Sequence, residues 1–357
     1  MQTQSAFDNA RMNAFGEKVL NDAAAMMFGN LAYIGDQLGL FEVMAKSGPM
    51  TSDQLAEAAS CHPRYIREWL SGMSAAGWVE YDPNTAHFTL PAEHAPFLVD
   101  RDHPAYMGGF LEQVNALAHV APRILECFRQ GGGISLADHH PDLPRIIERG
   151  TAPWLQNFLT KVWIPELLPD VHQKLLQGAR VADVGCGSGK ALVLMAEAYP
   201  NSRFVGYEPH DKSAERARAA VERAHLEDRV QIITAPSDEM PDRVYDFITT
   251  FDVIHDLAVP QKVIDDIRRA LKDDGTYLMQ EINASHRLED MLNTMGKLFY
   301  SVSTMACMTF SLAQNGAGIG TCMGAELPKQ MCAKAGFSNF RRLPFQHPLL
   351  VVYEIRV

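Results

Sequence analysis

Apolar residues recur at roughly helical spacing through Leu31, Ile34, Leu38, Leu40 and Val43, and Ser47-Gly48-Pro49 breaks the pattern, so a helix is expected to end near Lys46. Thr51 followed by Gln54 has the form of a capping box ahead of Leu55. Pro63 suits the first turn of a further helix carrying Ile66, Leu70 and Met73, with Gly77 placed to stop it. Trp78–Tyr81 and His87–Leu90 then flank the turn-forming run Asp82-Pro-Asn-Thr85, which predicts a hairpin. From 101 to 170 the pattern is helical but poorly ordered, interrupted by Gly131-Gly-Gly133, His140-Pro141 and Pro144. Trp154, Phe158 and Trp163 recur there at near-helical spacing, and core packing is their simplest reading.

Helix, turn, helix and hairpin in that order is a winged-helix pattern. From Arg180 the character changes to alternating strands and helices. Strands are expected at Arg180–Val184, Ser202–Tyr207, Val230–Thr234, Phe247–Phe251 and Tyr277–Gln280, with helices at Lys190–Ala198, Ala214–Ala224 and Pro260–Leu271. Such alternation implies an α/β domain, a parallel sheet with crossover helices on both faces. The expected organisation is a mainly α winged-helix domain at 1–100, a helical linker at 101–170, and an α/β domain at 171–357 with a helical insertion at about 283–325.

Composition narrows the partners. The chain has 357 residues, a net charge of -11 and 47% hydrophobic residues, those of an ordinary globular protein. Residues 1–100 hold five Lys or Arg against twelve Asp or Glu, a net of -7, which disfavours phosphate backbones and hence DNA. Dimerisation is the expected use of this region, with Ala23–Phe28 as a contact surface and a homodimer as the expected state. Six widely spaced cysteines without CxxC pairing read as free thiols in a reducing cytoplasm. No secretory signal is visible. The charge-free stretch Leu298–Ala325 carries too many hydroxyls, amides and glycines for a lipid-facing span, so no membrane association is expected.

In parallel α/β sheets, ligands bind outside the carboxyl ends of the strands. Gly185, Gly187 and Gly189 follow the first strand of the alternating region there and open a helix, allowing a tight turn and close backbone approach to a ligand. Alone, this pattern also fits a dinucleotide site. Asp183 inside the motif, Glu208 at the end of the next strand where it can accept both ribose hydroxyls, and the lack of a further glycine for a pyrophosphate favour an adenosyl ligand without a diphosphate.

The segments Val181-Ala-Asp-Val-Gly-Cys-Gly-Ser-Gly189, Phe204-Val-Gly-Tyr-Glu208, Tyr245-Asp-Phe-Ile248 and Leu271–Glu281 resemble a class I S-adenosylmethionine-dependent methyltransferase with a Rossmann-like sheet. The chain from about 20 onward is similar to actinobacterial winged-helix methyltransferases and, more distantly, to plant small-molecule O-methyltransferases. The resemblance implies S-adenosyl-L-methionine as cofactor, a small-molecule methyl acceptor and a dimer. It places the methionine end of the cofactor on Gly185 and Gly187, the ribose on Glu208, the amino group near Asp183, and adenine near Ser237 and Asp238. Cys186, Phe251 and Asp252 are counted with the cofactor site, Cys186 as a space-filling residue rather than a nucleophile.

The resemblance also supplies a candidate general base, His255 in Thr250-Phe-Asp-Val-Ile-His-Asp256, with Glu281 as its partner. The alternative is that Asp256 caps the next helix and His255 is a buried neighbour. Leu257 stands where an aromatic residue often follows, and Cys322 where plant enzymes have a second glutamate. Phe299, Tyr300 and Cys307, with Met305, Met308 and Cys322, are candidates for an apolar acceptor pocket. No metal is expected, although a soft-metal or metalloid site on Cys307 and Cys322 is a competing idea. A ligand- or cofactor-sensing transcriptional regulator built on the same fold is the principal alternative function.

Overall fold

The computed structural model describes residues 7–357; the first six residues of the expected 1–100 domain lie outside it. The chain divides into two compact units, Met1–Asn115 and Ala116–Val357.

The first unit opens with a 29-residue helix, α1 (Asn9–Gln37), capped by Asp8, whose carboxylate accepts from the amides of Ala10 and Arg11 at 2.9 and 3.2 Å. The apolar run that continues past Leu38 is not one helix. Gly39 turns at φ +67° and a new helix, α2 (Leu40–Ser47), begins. Helix α3 (Ser52–Ala58) has the reciprocal Thr51–Gln54 capping box, and α4 (Pro63–Ala75) starts on its proline and gives way to Gly77 at φ +73°. A short hairpin, β1 (Glu80–Asp82) and β2 (His87–Thr89), completes the winged helix. Its core is Leu40, Phe41, Met44, Leu55, Ile66, Trp69, Leu70 and Met73. α1 and α4 approach so closely that a Cβ on Gly35 would sit 2.4 Å from the Trp69 ring, and that indole donates to the Leu31 carbonyl at 3.0 Å.

The second unit is built on a seven-stranded sheet of β3 (Arg180–Val184), β4 (Arg203–Tyr207), β5 (Val230–Ile233), β6 (Tyr245–Phe251), β7 (Leu271–Ile282), β8 (Asn339–Arg342) and β9 (Leu350–Arg356), in the order β5-β4-β3-β6-β7-β9-β8. The first five in that order are parallel, and β9 runs antiparallel between β7 and β8. β7 begins six residues before the apolar run Tyr277–Gln280, because Leu271 already pairs with Tyr245 ahead of a register shift. Strand order reverses between β3 and β6, which opens a crevice at their carboxyl ends.

Helices Gly108–Ala118, Ala121–Gln130 and Leu143–Trp154 fill most of the poorly patterned stretch before the sheet, the first of them crossing the division between the units. A π-helix, Leu155–Trp163, follows directly. Its hydrogen bonds run from i to i+5, which suits the four- and five-residue spacings of Trp154, Phe158 and Trp163. The charge-free stretch from Leu298 falls in the helices Thr294–Met305 and Cys307–Ala313, broken at Ala306, and in the residues after them. No helix among the described residues is long and apolar enough to cross a membrane.

Candidate functional site

A cleft of about 620 Å³ lies at the carboxyl ends of β3, β4 and β6, within the range of small-molecule sites. The turn after β3 forms its floor. Gly185, Gly187 and Gly189 all have positive φ, at +71°, +56° and +78°. A side chain on Gly185 would meet Val253 at 2.9 Å, whereas beside Gly187 there is open space. Cys186 packs inward against Gly206, where an added Cβ would lie 2.6 Å from its sulfur, and burial pushes its thiol pKa strongly upward. That environment suits packing and opposes a nucleophile.

Glu208 ends β4 almost wholly buried. Its Oε2 accepts from the Gly187 amide at 3.0 Å and its Oε1 from the His210 amide at 2.9 Å, so the carboxylate is held across the glycine turn with lone pairs to spare. Burial nonetheless raises its pKa, against the pull of those two amides. Asp183 accepts from Thr249 Oγ1 at 2.8 Å; burial, with Glu208 nearby, pushes it up to about 7. Asp252, at φ +62°, is likewise pushed up to about 7 by burial, with Glu281 and Asp256 adding to the rise and His255 opposing it.

Asp183, Gly185, Cys186, Gly187, Glu208, Ser237, Phe251 and Asp252 all line this one cleft. Asp238 is not among the lining residues: its carboxylate pairs with Lys262 at 2.8 Å, while the neighbouring Ser237 donates to Asp266 at 2.7 Å.

Around β6 and β7 the candidate reaction centre is a buried ion cluster. His255 Nδ1 donates to Glu281 Oε2 at 2.6 Å, and Glu281 Oε1 accepts from the Ile254 amide at 2.8 Å. His255 Nε2 lies 3.1 Å from Asp256 Oδ1 without the alignment of a hydrogen bond. Burial works against a charged imidazole, but Asp256 and Glu281 outweigh it and hold the His255 pKa well above its ordinary value. Neither His255 nor Glu281 is among the lining residues; Asp256 and Gln280, their chain neighbours, are. Ligand atoms of His255, Asp256 and Cys307 lie within 4.8 Å of one another, as do those of Asp252, His255 and Glu281, so a metal ion could bridge either set. The Cys307 thiol is pushed up to about 11, chiefly by burial.

The residues proposed for an apolar acceptor pocket do not line this cleft, although Cys307 abuts His255 and Asp256. Phe299, Tyr300, Cys307 and Cys322 are not among those lining the cleft, whose far wall is instead formed by Leu143–Trp154, Leu155, Phe310 and Gln314. Trp154 and Trp163, read from sequence as core, are buried and also line it, with Trp163 stacked on Phe251 at 6.3 Å and 19°. The signal for this wall was present at positions 144, 147, 148, 151 and 155, one helical face, but Pro144 and Pro153 masked it.

The donor set fits S-adenosylmethionine. Asp252 Oδ1, Asp256 Oδ1 and Gln280 Nε2 are buried on lining residues with no hydrogen-bond partner among the described residues. Asp183, Glu208 and Asp252 are buried carboxyls on the same cleft whose charged form a cationic ligand would favour.

Comparison with known proteins agrees with this architecture. Residues 24–100 match the Rv2258c-like winged HTH domain and residues 175–336 match a methyltransferase domain. The chain therefore carries an N-terminal winged HTH domain and a methyltransferase domain of the class I S-adenosylmethionine-dependent fold. Its backbone is similar to the structure of the mitomycin 7-O-methyltransferase MmcR, with a TM-score of 0.70 and 20% identity, over 98% of this chain and 99% of that one. In sequence it is 31% identical over 111 residues to the polyketide synthase ThaQ of Burkholderia thailandensis, covering 30% of this chain and 5% of that protein. It is 30% identical over 110 residues to the trans-aconitate 2-methyltransferase of Variovorax paradoxus, covering 31% and 38%. The chain thus spans well under two thirds of the length of these curated relatives.

Proposed function

We propose that this chain is an enzyme that transfers a methyl group from S-adenosyl-L-methionine to an O, N or S nucleophile of a small molecule. The observation that carries this is Glu208, a buried carboxylate pinned by two backbone amides beside the open side of Gly187, within one cleft shared with Asp183 and Asp252. When bound, the cofactor supplies an electrophilic methyl on a sulfonium. Glu208 accepts the ribose hydroxyls, Asp183 balances the amino group, Ser237 borders adenine, and Trp163 with Phe251 excludes water. His255, oriented by Glu281, is the proton acceptor for the incoming nucleophile, reached from the cleft past Asp256. The test is calorimetric binding of S-adenosylmethionine and its demethylated product, then release of that product with a panel of phenols, thiols and amines. Absence of cofactor binding refutes the reading.

The winged-helix region serves dimerisation rather than DNA binding in this reading. Arg64 and Arg67 of α4 each lie near a carboxylate, Glu68 and Asp53, in a region whose net charge of -7 opposes phosphates. α1 exposes Phe15, Leu20, Met26 and Met27, a face suited to a second copy. Six free cysteines are consistent with a reducing, cytoplasmic setting.

A further inference from the structure

The wall facing the glycine turn has an unusual chemistry. Helix Leu143–Trp154 presents Pro144, Ile147, Thr151 and Trp154 to the cleft, and the single charged residue it places there is Glu148. The turn before the helix Pro260–Ala270 adds a second carboxylate, Asp256, whose Oδ1 lies 3.1 Å from His255 Nε2. The basic side chains on the cleft, Lys190, His210 and Arg216, belong to elements around the cofactor residues: Lys190 follows Gly189, the His210 amide donates to Glu208, and Arg216 donates to Ser213 at 3.0 Å. Trp154, Trp163, Phe251 and Phe310 supply aromatic faces to the same space. Carboxylates among aromatic rings, in an apolar enclosure, attract a cation through both Coulomb and ring-quadrupole terms.

We propose that the methyl acceptor is an aromatic molecule bearing a cationic amine, and that Glu148 is the residue that selects it. This rests on the methyl-transfer reading above. A neutral aromatic would gain the ring contacts but leave Glu148 facing apolar surface. An aromatic acid would place a further negative charge beside Glu148 and Asp256, while the His255 imidazole, 3.1 Å from Asp256, does not itself line the cleft. The cofactor's own sulfonium is the rival occupant for these carboxylates. Glu148 stands on a helix separate from the strands that carry the cofactor residues, which favours the acceptor.

The experiment uses the full chain saturated with the demethylated cofactor and three phenols that differ in the charge of their side arm: tyramine, 4-ethylphenol and 4-hydroxyphenylacetate. The expected result is that tyramine binds about tenfold tighter than 4-ethylphenol at low salt, with the acid weakest, a gap of the size an ion pair in a partly enclosed site provides. Glu148→Gln should remove the tyramine preference while leaving 4-ethylphenol and cofactor affinities unchanged. Equal affinities, the acid binding best, no tyramine binding, or an unchanged preference in the variant would each overturn the proposal. Weakened binding of S-adenosylmethionine relative to its demethylated product in Glu148→Gln would assign the carboxylate to the sulfonium and overturn it as well. Absent cofactor binding in the parent chain would instead sink the methyl-transfer reading itself, and is scored before any phenol is added.

Discussion

The imidazole of His255 is clamped by Glu281, Nδ1 to Oε2 at 2.6 Å, and the same carboxylate holds the Ile254 amide, so one glutamate sets both the ring and the turn that carries it. Asp256 and Glu281 hold the His255 pKa well above its ordinary value, so the imidazole gives up its proton at higher pH than a free histidine does. Turnover should therefore keep rising with pH above neutrality. Glu281→Gln should move that rise to lower pH, since removing a neighbouring charge disfavours the imidazolium. His255→Ala should slow turnover by about a hundredfold or more while cofactor affinity holds. A chelator should leave the rate unchanged. A flat pH profile, or loss of cofactor binding in His255→Ala, would mean that the cluster is structural.

Glu208→Ala should weaken S-adenosylmethionine and its demethylated product alike, by about tenfold or more, since it removes the carboxylate held across the glycine turn. Isothermal titration decides this. Undiminished affinity for both would displace the site.

Asp183 shows the opposing demands of folding and binding. Its pKa rises on folding from the ordinary carboxylate range to about 7, because burial penalises the charge. The folded state then holds the proton more tightly than the unfolded one, so this group costs stability increasingly as pH climbs from about 4 to 7. Asp183→Asn should raise the melting temperature of the cofactor-free protein at pH 8 and weaken S-adenosylmethionine. A lower melting temperature there would contradict the sign.

The exposed apolar face of α1 predicts self-association. Leu20→Ser combined with Met27→Ser should shift the sedimentation of the chain from dimer to monomer without unfolding the winged helix. A dimer that survives these changes must be built on another surface.

His139 joins the cleft's outer wall to the helix behind it. Its ring nitrogens lie 2.8 Å from the Ser135 carbonyl and 2.9 Å from the Met305 carbonyl, and Phe310 packs edge-on at 4.8 Å. His139→Ala should destabilise the chain by about 2 kcal/mol in denaturant titration, through lost hydrogen bonds and packing in a buried position. A change too small to measure would show that the wall relaxes around the gap.

Much of the site could be read along the chain. The turn Gly185–Gly189 and Glu208 are local: each sits at the end of its own strand, and their roles follow from strand spacing and from glycine's access to positive φ. The capping box at Thr51–Gln54, the proline start of α4 and the alternation after Arg180 are equally local in their physics. The break at Gly39 was masked by the apolar repeat, which runs unbroken across it, although a glycine at positive φ is itself a local stop. Asp238 faces outward because Lys262 lies opposite it, a partner 24 residues away that no spacing rule announces. The acceptor wall came from tertiary structure alone. Helix Leu143–Trp154 and the π-turn carrying Trp163 acquire their meaning only when folded against the carboxyl ends of β3 and β6, and Phe310 rather than Phe299 faces the cleft because the helix pair breaks at Ala306. Local sequence chemistry thus determined the sheet and the cofactor turn, whereas long-range packing decided which carboxylates and rings meet across the cleft, since those residues, such as Trp163 and Phe251, lie far apart along the chain.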